Sequence, residues 1–271
     1  MTILEEIVAY KRKEVEEIAS THPIKLLEQS LYFNSDCVSL KKYLLRKDKS
    51  GIIAEFKRKS PSKGIINTYA DVEKVTIGYM QAGASALSIL TDNHFFGGKN
   101  LDLIAARKFN FCPILRKDFI VSEYQIIEAK SIGADAILLI AAILTKEEIK
   151  QFTTLAHNLG LEVLLEIHTQ EELEKFNSDI SLVGINNRNL NTFEVDFENS
   201  IRLAQSLPTG VVKVAESGIS NPQNIIELKQ QGFEGFLVGE NFMKTAEPEI
   251  AAKKFIKKIK ELETNLKSIA Q

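Results

Sequence analysis

A short apolar segment followed by a segment of helical periodicity recurs along most of this chain, and this alternation limits the folds that it can adopt. Segments such as 71–83 and 224–232 place apolar residues three and four positions apart and stop at Gly, which is typical of amphipathic helices. Between the helical segments lie runs rich in Val, Ile and Leu, at residues 51–57, 86–92, 112–119, 136–142, 162–168, 181–188, 210–217 and 234–240. Continuous apolar strands are buried on both faces, as in parallel sheets. The alternation therefore predicts βαβ units.

The number of strand segments favours a closed barrel. A (β/α)8 barrel needs eight strand–helix units and typically takes about 250 residues, and this chain has 271 residues. We therefore predict an α/β fold, a single (β/α)8 TIM barrel with an N-terminal helical extension. A doubly wound open sheet is the alternative that the pattern leaves open.

The first fifty residues lie outside the alternation. Their apolar residues are interleaved with Glu and Lys at roughly helical spacing, at Ile3, Leu4, Ile7, Val8, Val15 and Ile18. We expect residues 1–50 to form a helical extension packed on the barrel and residues 51–271 to form the catalytic domain. The extension is predicted to cover the barrel surface or to close one barrel end, and a cap over the active-site mouth is a further alternative.

Composition excludes several classes of function. The net charge of −2 argues against a nucleic-acid partner, which normally requires a basic domain or stripe. We expect no membrane partner, because no apolar run approaches the roughly 18 residues that a bilayer span needs. The two cysteines, Cys37 and Cys112, share no motif spacing. This sparse use of cysteine predicts a reducing, cytoplasmic location.

Neither a metal nor a nucleotide cofactor is expected from the motifs. The histidines form no HxxH or HExxH pair, and no Cys/His/Asp cluster has the spacing of metal ligands. The chain also lacks GxGxxG and GxxxxGK[ST], the glycine-rich signatures of dinucleotide and P-loop sites. We therefore predict a site that works without a metal and without an organic cofactor.

Ionisable and amide side chains end most of the predicted strands. In a barrel of this kind the active site lies at the carboxyl ends of the strands. Charged residues at strand ends are usually solvated, but here they converge on one mouth while the strand centres stay apolar. Glu55 and Lys57 are two positions apart, so strand alternation places them on the same side. The other strand-end residues are Arg116, Lys117, Asp118, Glu166, His168, Asn186, Asn187, Arg188, Asn189, Glu216 and Glu240.

Glycines after the seventh and eighth predicted strands indicate a phosphate site. Phosphate in these barrels often binds between the loops that follow strands 7 and 8. Gly218 and Gly239 occupy these two loops, and glycine lets backbone N–H groups approach an anion closely. A single glycine after a strand is usually only a turn, whereas two at these positions favour an anion site.

Several long motifs resemble the indole-3-glycerol-phosphate synthase family. They are AEFKRKSPSKG, PILRKDFIV, LGLEVLLEIH, VGINNRNLNTFEVD, VAESGIS and GFLVGENFMK, and the resemblance covers essentially the whole chain, including the N-terminal helical extension. The resemblance implies a (β/α)8 barrel that closes the indole ring in tryptophan biosynthesis. The implied enzyme is a carbon–carbon lyase that converts 1-(2-carboxyphenylamino)-1-deoxyribulose 5-phosphate into indole-3-glycerol phosphate, CO2 and water, with no metal or cofactor.

The same resemblance implies catalytic roles. Lys117 corresponds to the general acid that protonates the ribulose carbonyl oxygen, and Glu166 corresponds to the group acting in the later dehydration. Lys57 is similar to the lysine that neutralises substrate anions, with proton donation as an alternative role, and Glu55 would be its partner. The remaining implied catalytic residues, which would orient the intermediate, are Asn186 and Arg188. The division of proton transfers among Lys57, Lys117 and Glu166 stays open.

The binding residues are implied in the same way. Phe119 and Leu138 correspond to walls of the anthranilate pocket, with Phe96 and Pro61 as further candidates. The phosphate and substrate positions are Ser60, Glu216, Ser217, Gly218, Gly239 and Glu240, and we expect Glu240 to contribute at most its backbone N–H. We also expect the positive charges of Lys57, Lys117 and Arg188 to lower a lysine pKa toward neutrality.

Two other functions compete with this one. Phosphoribosylanthranilate isomerase is a related barrel, but it would require an Asp/Cys acid–base pair instead of Lys117 and Glu166. A barrel that binds phosphosugars without catalysis would keep the glycines and lose a catalytic lysine or glutamate. The expected partner is therefore a small phosphosugar substrate, and the expected assembly is a monomer or weak homodimer.

Overall fold

The computed structural model describes residues 2–188 and 194–269, and within them eight parallel strands close into a barrel. The strands β1 to β8 are Ile52–Phe56, Ala86–Leu90, Ile114–Lys117, Ala136–Ile140, Glu162–Ile167, Leu182–Asn186, Val212–Glu216 and Gly235–Val238. Each strand pairs in parallel with the next along the chain, and β8 pairs with β1 to complete the ring. The prediction of a (β/α)8 barrel is confirmed, and the open-sheet alternative is wrong.

Helices surround the barrel. In the described part of the chain, α1 to α12 are Ile3–Thr21, Ile24–Leu27, Leu40–Leu44, Val72–Ala82, Asn100–Phe109, Glu123–Ser131, Lys146–Asn158, Gln170–Leu173, Phe197–Gln205, Pro222–Gln230, Glu240–Met243 and Pro248–Ile269. A pair of two-residue antiparallel strands, Lys59–Ser60 and Gly64–Ile65, follows β1. No helix in these two ranges is both long and apolar enough to cross a membrane.

Local sequence explains where the helices begin and end. Asp71 caps α4 by accepting a hydrogen bond from Lys74 N, and the helix ends at Gly83 in a left-handed conformation, φ 99°. The helix predicted within 224–232 begins earlier, at Pro222, because Asn221 caps it and proline is favoured in a first helical turn.

Strand alternation divides the core into two layers. Ile52, Ala54 and Phe56 face outward and join the large apolar cluster between strands and helices. Ile53 faces inward and belongs to a smaller cluster inside the barrel. Because Glu55 has the same parity as Ile53, β1 delivers its carboxylate to the barrel interior at the carboxyl end.

The N-terminal extension contacts both ends of the barrel. Leu40 and Leu44 of α3 are buried in the inner cluster, together with Ala86 and Val214, and they close the amino-terminal end. Helix α1 lies at the opposite end, where Ile3 and Ile7 line the cavity at the carboxyl ends of the strands. The expected end closure and the alternative cap therefore both occur, on different helices of the extension.

Candidate active site

The carboxyl ends of the strands open into a cavity of about 400 Å³. Every residue predicted for catalysis or binding lines this cavity: Glu55, Lys57, Ser60, Lys117, Phe119, Leu138, Glu166, Asn186, Arg188, Glu216, Ser217, Gly218, Gly239 and Glu240. Phe96 and Pro61 line it as well. Asn189, another of the strand-end residues noted in the sequence, lies outside the described residues.

The first strand contributes an ion pair. Lys57 Nζ lies 2.7 Å from Glu55 Oε1, as expected for side chains two positions apart. Glu55 is only 3% exposed, and Ser88 Oγ lies 3.5 Å from its other oxygen. A Cβ at Gly239 would collide with Glu55 Oε1, so glycine at the end of β8 gives this carboxylate its space.

Lys117 projects from the end of β3 into a group of carboxylates. Its Nζ lies 2.8 Å from Glu216 Oε2 and 3.3 Å from Glu166 Oε2. Burial acts to lower the pKa of Lys117, but the charges of Glu216, Glu166 and Glu55 outweigh it and raise the pKa above its ordinary value. The expectation of a lowered lysine pKa is therefore wrong for Lys117, because carboxylates rather than cations are its nearest neighbours.

The environment of Glu216, at the end of β7, favours the neutral form of its carboxyl group. Burial raises its pKa to about 7, and the nearby charges of Glu166 and Glu55 add to this, while Lys117 opposes it. Glu216 Oε1 has no hydrogen-bond partner among the described residues, and it lies so close to Gly184 that a Cβ there would collide with it. Gly184 was missed as a site residue, although a glycine inside a strand often marks a close approach.

Glu166 at β5 is held as a carboxylate. Asn186 Nδ2 donates to Oε1 at 3.1 Å, and Lys117 binds Oε2. Burial alone would raise the pKa of Glu166, yet Lys117, His168 and the bond from Asn186 lower it. The cavity thus places two glutamates with opposite pKa shifts beside one lysine, an arrangement that separates acid and base roles.

Arg188 lies at the mouth of the cavity and contacts the segment after β1 and the first residue of α11. Its backbone N–H donates to Asn186 Oδ1 at 3.0 Å, and its Nη1 lies 3.4 Å from Ser62 Oγ. Its Nη2 lies 3.7 Å from Glu240 Oε2. The side chain of Glu240 thus pairs with Arg188, a contact separate from the predicted contribution of its backbone N–H to phosphate binding.

The loop after β7 has an unusual backbone conformation where it lines the cavity. Ser217 and Gly218 are consecutive residues in the left-handed region, with φ of 67° and 74°. A serine rarely adopts this conformation, and such strain is concentrated at functional sites. Gly239 lies on the neighbouring loop and also lines the cavity. Turns of this kind aim successive N–H groups at an anion.

One wall of the cavity is apolar. Phe96 and Phe119 pack with ring centroids 5.8 Å apart, and Leu138 lies in the same cavity. Helix α1 adds Ile3 and Ile7, together with Leu4 between them. The apolar spacing of this helix predicted a buried face but did not identify what that face covers.

A buried lysine fastens α1 to the barrel. Lys11 is 2% exposed, and its Nζ lies 2.8 Å from Asp92 Oδ2 and 3.1 Å from Asp118 Oδ1. Asp92 follows β2 and accepts the backbone N–H groups of Phe95 and Phe96, while Asp118 immediately precedes the aromatic residue of the β3 loop. Lys11 therefore links α1 to the loops that carry the aromatic wall.

Solved structures with the same architecture confirm the barrel. A mutant tryptophan synthase alpha-subunit from the hyperthermophile Pyrococcus furiosus superposes with a TM-score of 0.58 at 16% identity, covering 78% of this chain and 98% of that one. A thiamine phosphate pyrophosphorylase from Pyrococcus furiosus gives 0.56 at 16% identity, with the same coverage. At these identities the similarity concerns the fold alone.

Comparison by sequence gives relatives with much higher identity than these structures. The chain is 52% identical over 257 residues to an indole-3-glycerol phosphate synthase from Bacteroides thetaiotaomicron, covering 95% of this chain and 98% of that protein. An enzyme of the same name from Caldanaerobacter subterraneus subsp. tengcongensis is 42% identical, covering 95% and 99%. The family model described as indole-3-glycerol phosphate synthase matches residues 4–255. This chain belongs to the indole-3-glycerol phosphate synthase family.

Proposed function

We propose that this protein converts 1-(2-carboxyphenylamino)-1-deoxyribulose 5-phosphate into indole-3-glycerol phosphate, CO2 and water, a carboxy-lyase reaction of tryptophan biosynthesis. The observation that carries the proposal is the position of Lys117, which lies between Glu166 and Glu216 in a cavity with an apolar wall. One end of the substrate is an aromatic ring that carries a carboxylate, and the other end is a sugar chain that carries a phosphate. Such a molecule requires an apolar slot, cationic groups and an anion-binding loop within one cavity.

We propose Lys117 as the general acid of ring closure. Its raised pKa keeps the ammonium form at neutral pH, so that a proton is available for the ribulose carbonyl oxygen as the new carbon–carbon bond forms. Loss of CO2 then restores the aromatic ring. In the dehydration that follows, Glu166 is the proposed proton-transfer group, and its hydrogen bond from Asn186 fixes its orientation.

Substrate binding is assigned to the rest of the cavity. Lys57, oriented by Glu55, and Arg188 would neutralise the carboxylate and orient the intermediate. Phe119 and Leu138 would contact the anthranilate ring. The phosphate would be held by Ser60 and by the loops after β7 and β8, with the left-handed backbone at Ser217 and Gly218 as support. Glu216 lines the same cavity, and Glu240 supports Arg188 through its carboxylate.

The isomerase alternative requires a cysteine in the cavity, and neither cysteine of this chain lies there. Cys112 is buried in the outer apolar layer, and burial raises the pKa of its thiol to about 12. Cys37 is partly buried and its Sγ contacts Lys130 Nζ at 3.1 Å. Neither residue lines the cavity. An Asp/Cys acid–base pair therefore has no support, and the lyase reaction fits the residues that are present.

The direct test is an assay of the purified protein with the carboxyphenylamino-deoxyribulose phosphate. We expect indole fluorescence to rise, to saturate with substrate and to be unchanged by EDTA, because the proposed reaction needs no metal or organic cofactor. If the folded protein bound the phosphate ester but produced no fluorescence, the non-catalytic barrel would replace this proposal.

We further propose that the protein is a monomer or weak homodimer in the cytoplasm, with residues 1–50 as the helical extension and residues 51–271 as the catalytic domain. All of the residues proposed for catalysis come from one chain, which supports a monomeric catalytic unit. Sedimentation equilibrium at micromolar concentration should give a mass near 30.4 kDa or a concentration-dependent dimer. A tight oligomer with activity lost on dilution would contradict this.

A further inference from the structure

His168 lies directly behind Glu166, outside the set of side chains that line the cavity. It follows β5 and is two positions from Glu166, so the two side chains point the same way. His168 Nε2 lies 3.3 Å from Glu166 Oε1, and its Nδ1 lies 3.2 Å from Glu172 Oε2. The resemblance to the family assigned no role to His168 or Glu172.

Glu172 fixes the ring from the far side. Its Oε2 accepts the backbone N–H of His168 at 2.7 Å in addition to contacting Nδ1. Glu172 is in the short helix α8, which begins after Thr169, and Asn199 Nδ2 donates to the His168 carbonyl at 3.2 Å. Glu172 of α8 thus holds the imidazole through Nδ1, and Asn199 of α9 holds the backbone of His168.

The contacts of the two ring nitrogens limit where the protons of His168 can lie. A carboxylate at Nδ1 requires a proton there, which in a neutral imidazole leaves a lone pair on Nε2. That lone pair would face Glu166 Oε1, also an acceptor. His168 Nε2 is buried and has no aligned hydrogen-bond partner among the described residues. A single proton between Nε2 and Oε1 removes the conflict, either on the imidazole or on Glu166.

We propose that His168 is a positioning residue that shares a proton with Glu166 and thereby sets the protonation state of Glu166, with Glu172 holding the imidazole. This inference rests on the proposed function, because it assigns His168 to the dehydration step. The charged groups around the pair are Glu172 on α8, Glu216 on β7 and Lys117 on β3.

The electrostatics of the pair agree with the geometry. Burial acts to lower the pKa of His168, but the hydrogen bond to Glu172 and the charges of Glu166 and Glu216 outweigh it and raise the pKa. The His168 charge in turn helps to lower the pKa of Glu166. Each group therefore favours the charged form of the other at neutral pH.

The shared proton has a use in dehydration. Transfer from Nε2 to Glu166 makes Glu166 an acid that can protonate the departing hydroxyl group, which leaves as water with the electrons of the broken C–O bond. The adjacent carbon then loses a proton as the indole double bond forms. That proton returns to Glu166 and His168, so the pair ends in its starting state.

The kinetic test compares His168→Gln with His157→Gln, which changes an exposed histidine at the end of α7. We expect His168→Gln to lower kcat at least about tenfold at neutral pH with KM within about twofold. Loss of the cation should also raise the pKa of Glu166 and move the acidic limb of the kcat profile to higher pH. An unchanged kcat and pH profile in folded His168→Gln would overturn the proposal.

A second measurement is independent of activity. The chain has four histidines, so ¹⁵N NMR of the imidazoles is tractable, and His168→Gln identifies the His168 signals. We expect His168 to be protonated at both nitrogens at pH 7, because its pKa is raised, and we expect Glu166→Gln or Glu172→Gln to lower that pKa. A neutral His168 with a free Nε2 lone pair at pH 7 would overturn the proposal. Inactivity of the wild-type protein with a protonated His168 would instead count against the proposed reaction.

Discussion

Three buried glutamates, Glu55, Glu166 and Glu216, surround Lys117, and the pKa values of Glu166 and Glu216 are shifted in opposite directions. Lys117 and Asn186 hold Glu166 in the charged form, whereas the pKa of Glu216 is raised to about 7 by burial and by the other carboxylates. Like charges that cannot all ionise together divide their pKa values in this way. One lysine and its neighbouring carboxylates can therefore provide both proton donors and proton acceptors near neutral pH.

Replacing Lys117 by Ala should abolish ring closure without unfolding the barrel. The ammonium is the proposed proton donor to the carbonyl oxygen, and general acid catalysis typically contributes about 10²–10⁴-fold. We expect kcat to fall by roughly that factor or more in the indole fluorescence assay, with a native circular dichroism spectrum. Lys63→Ala, an exposed change in the loop after β1, is the matched control. A fully active Lys117→Ala protein would contradict the role given to Lys117.

Replacing Glu216 by Gln should change how stability depends on pH. The folded-state pKa of Glu216 is raised from 4.5 to about 7, so its contribution to stability is present at low pH and is lost as the pH rises through 7. The glutamine side chain of the Glu216→Gln variant cannot ionise, so the variant lacks this loss. Relative to wild type, the variant should therefore gain up to about 3 kcal/mol in unfolding free energy between pH 5 and pH 8.

Urea unfolding at a series of pH values checks this, with the exposed Glu227→Gln as control. Lys117 loses one partner in the Glu216→Gln variant, and this changes the unfolding free energy by a similar amount at every pH. The slope of the unfolding free energy against pH therefore reports the ionisation of Glu216. Parallel pH curves for wild type and variant would show that Glu216 is ionised throughout this range.

Residue identities in the site could be predicted from sequence, whereas their pKa shifts could not. Strand ends and motifs identified Lys117 and Glu166, because the carboxyl ends of parallel strands meet at one mouth. The direction of the Lys117 pKa shift depends on which charges lie within a few ångströms. Strand β3 brings Lys117 toward Glu216, which is about a hundred positions away in sequence, and that proximity is invisible in either local segment.

At the scale of elements, helix α1 is part of the active site as well as a cover for it. Ile3 and Ile7 line the cavity, and Lys11 joins the same helix to Asp92 and Asp118. The apolar spacing of residues 3–18 predicted an amphipathic helix. The sequence did not indicate that Lys11 is buried, because a lysine on such a helix is normally solvated.

Replacing Lys11 by Met should destabilise the protein and weaken substrate binding. Removal of the ammonium leaves buried Asp92 and Asp118 without one of their cationic partners, and breaking a buried pair in this way costs about 3–5 kcal/mol. Loosening of α1 should also raise KM, because the helix supplies part of the apolar wall.

Urea unfolding and steady-state kinetics at a temperature where the variant is folded measure the two effects. Lys13→Met is the control, since Lys13 lies on the same helix with its side chain 79% exposed. If the two variants were equally stable, the ion pairs of Lys11 with Asp92 and Asp118 would make no net contribution to the free energy of unfolding. Reduced stability with an unchanged KM would confine α1 to a structural role.

Strand boundaries followed from the sequence to within two residues at each end in all eight strands. The segment 51–57 is observed as Ile52–Phe56, and 210–217 as Val212–Glu216. The largest difference is in 112–119, of which only Ile114–Lys117 forms a strand. Directly after this strand, the side chain of Asp118 pairs with Lys11 and Arg116 and accepts the backbone N–H of Phe119.

At the scale of the whole molecule, the two ends of the barrel have different tasks. The carboxyl end holds the buried carboxylates and the strained backbone at Ser217, arrangements that serve chemistry more than stability. The amino end is closed by α3, whose Leu40 and Leu44 complete the inner apolar cluster. In barrels of this architecture the amino end is the face associated with stability.

Replacing Leu44 by Ala should therefore lower stability and leave catalysis intact. Leu44 is 4% exposed, and truncation of a buried leucine to alanine typically removes about 2–5 kcal/mol through lost burial and the cavity that remains. The substitution lies at the opposite end of the barrel from Lys117, so kcat and KM should stay within about twofold of wild type below the unfolding transition. Leu45→Ala is a close control, because Leu45 is the next residue and is 49% exposed. If Leu44→Ala changed kcat as strongly as it changed the free energy of unfolding, the two ends of the barrel would be coupled and the separation of stability from chemistry would not hold.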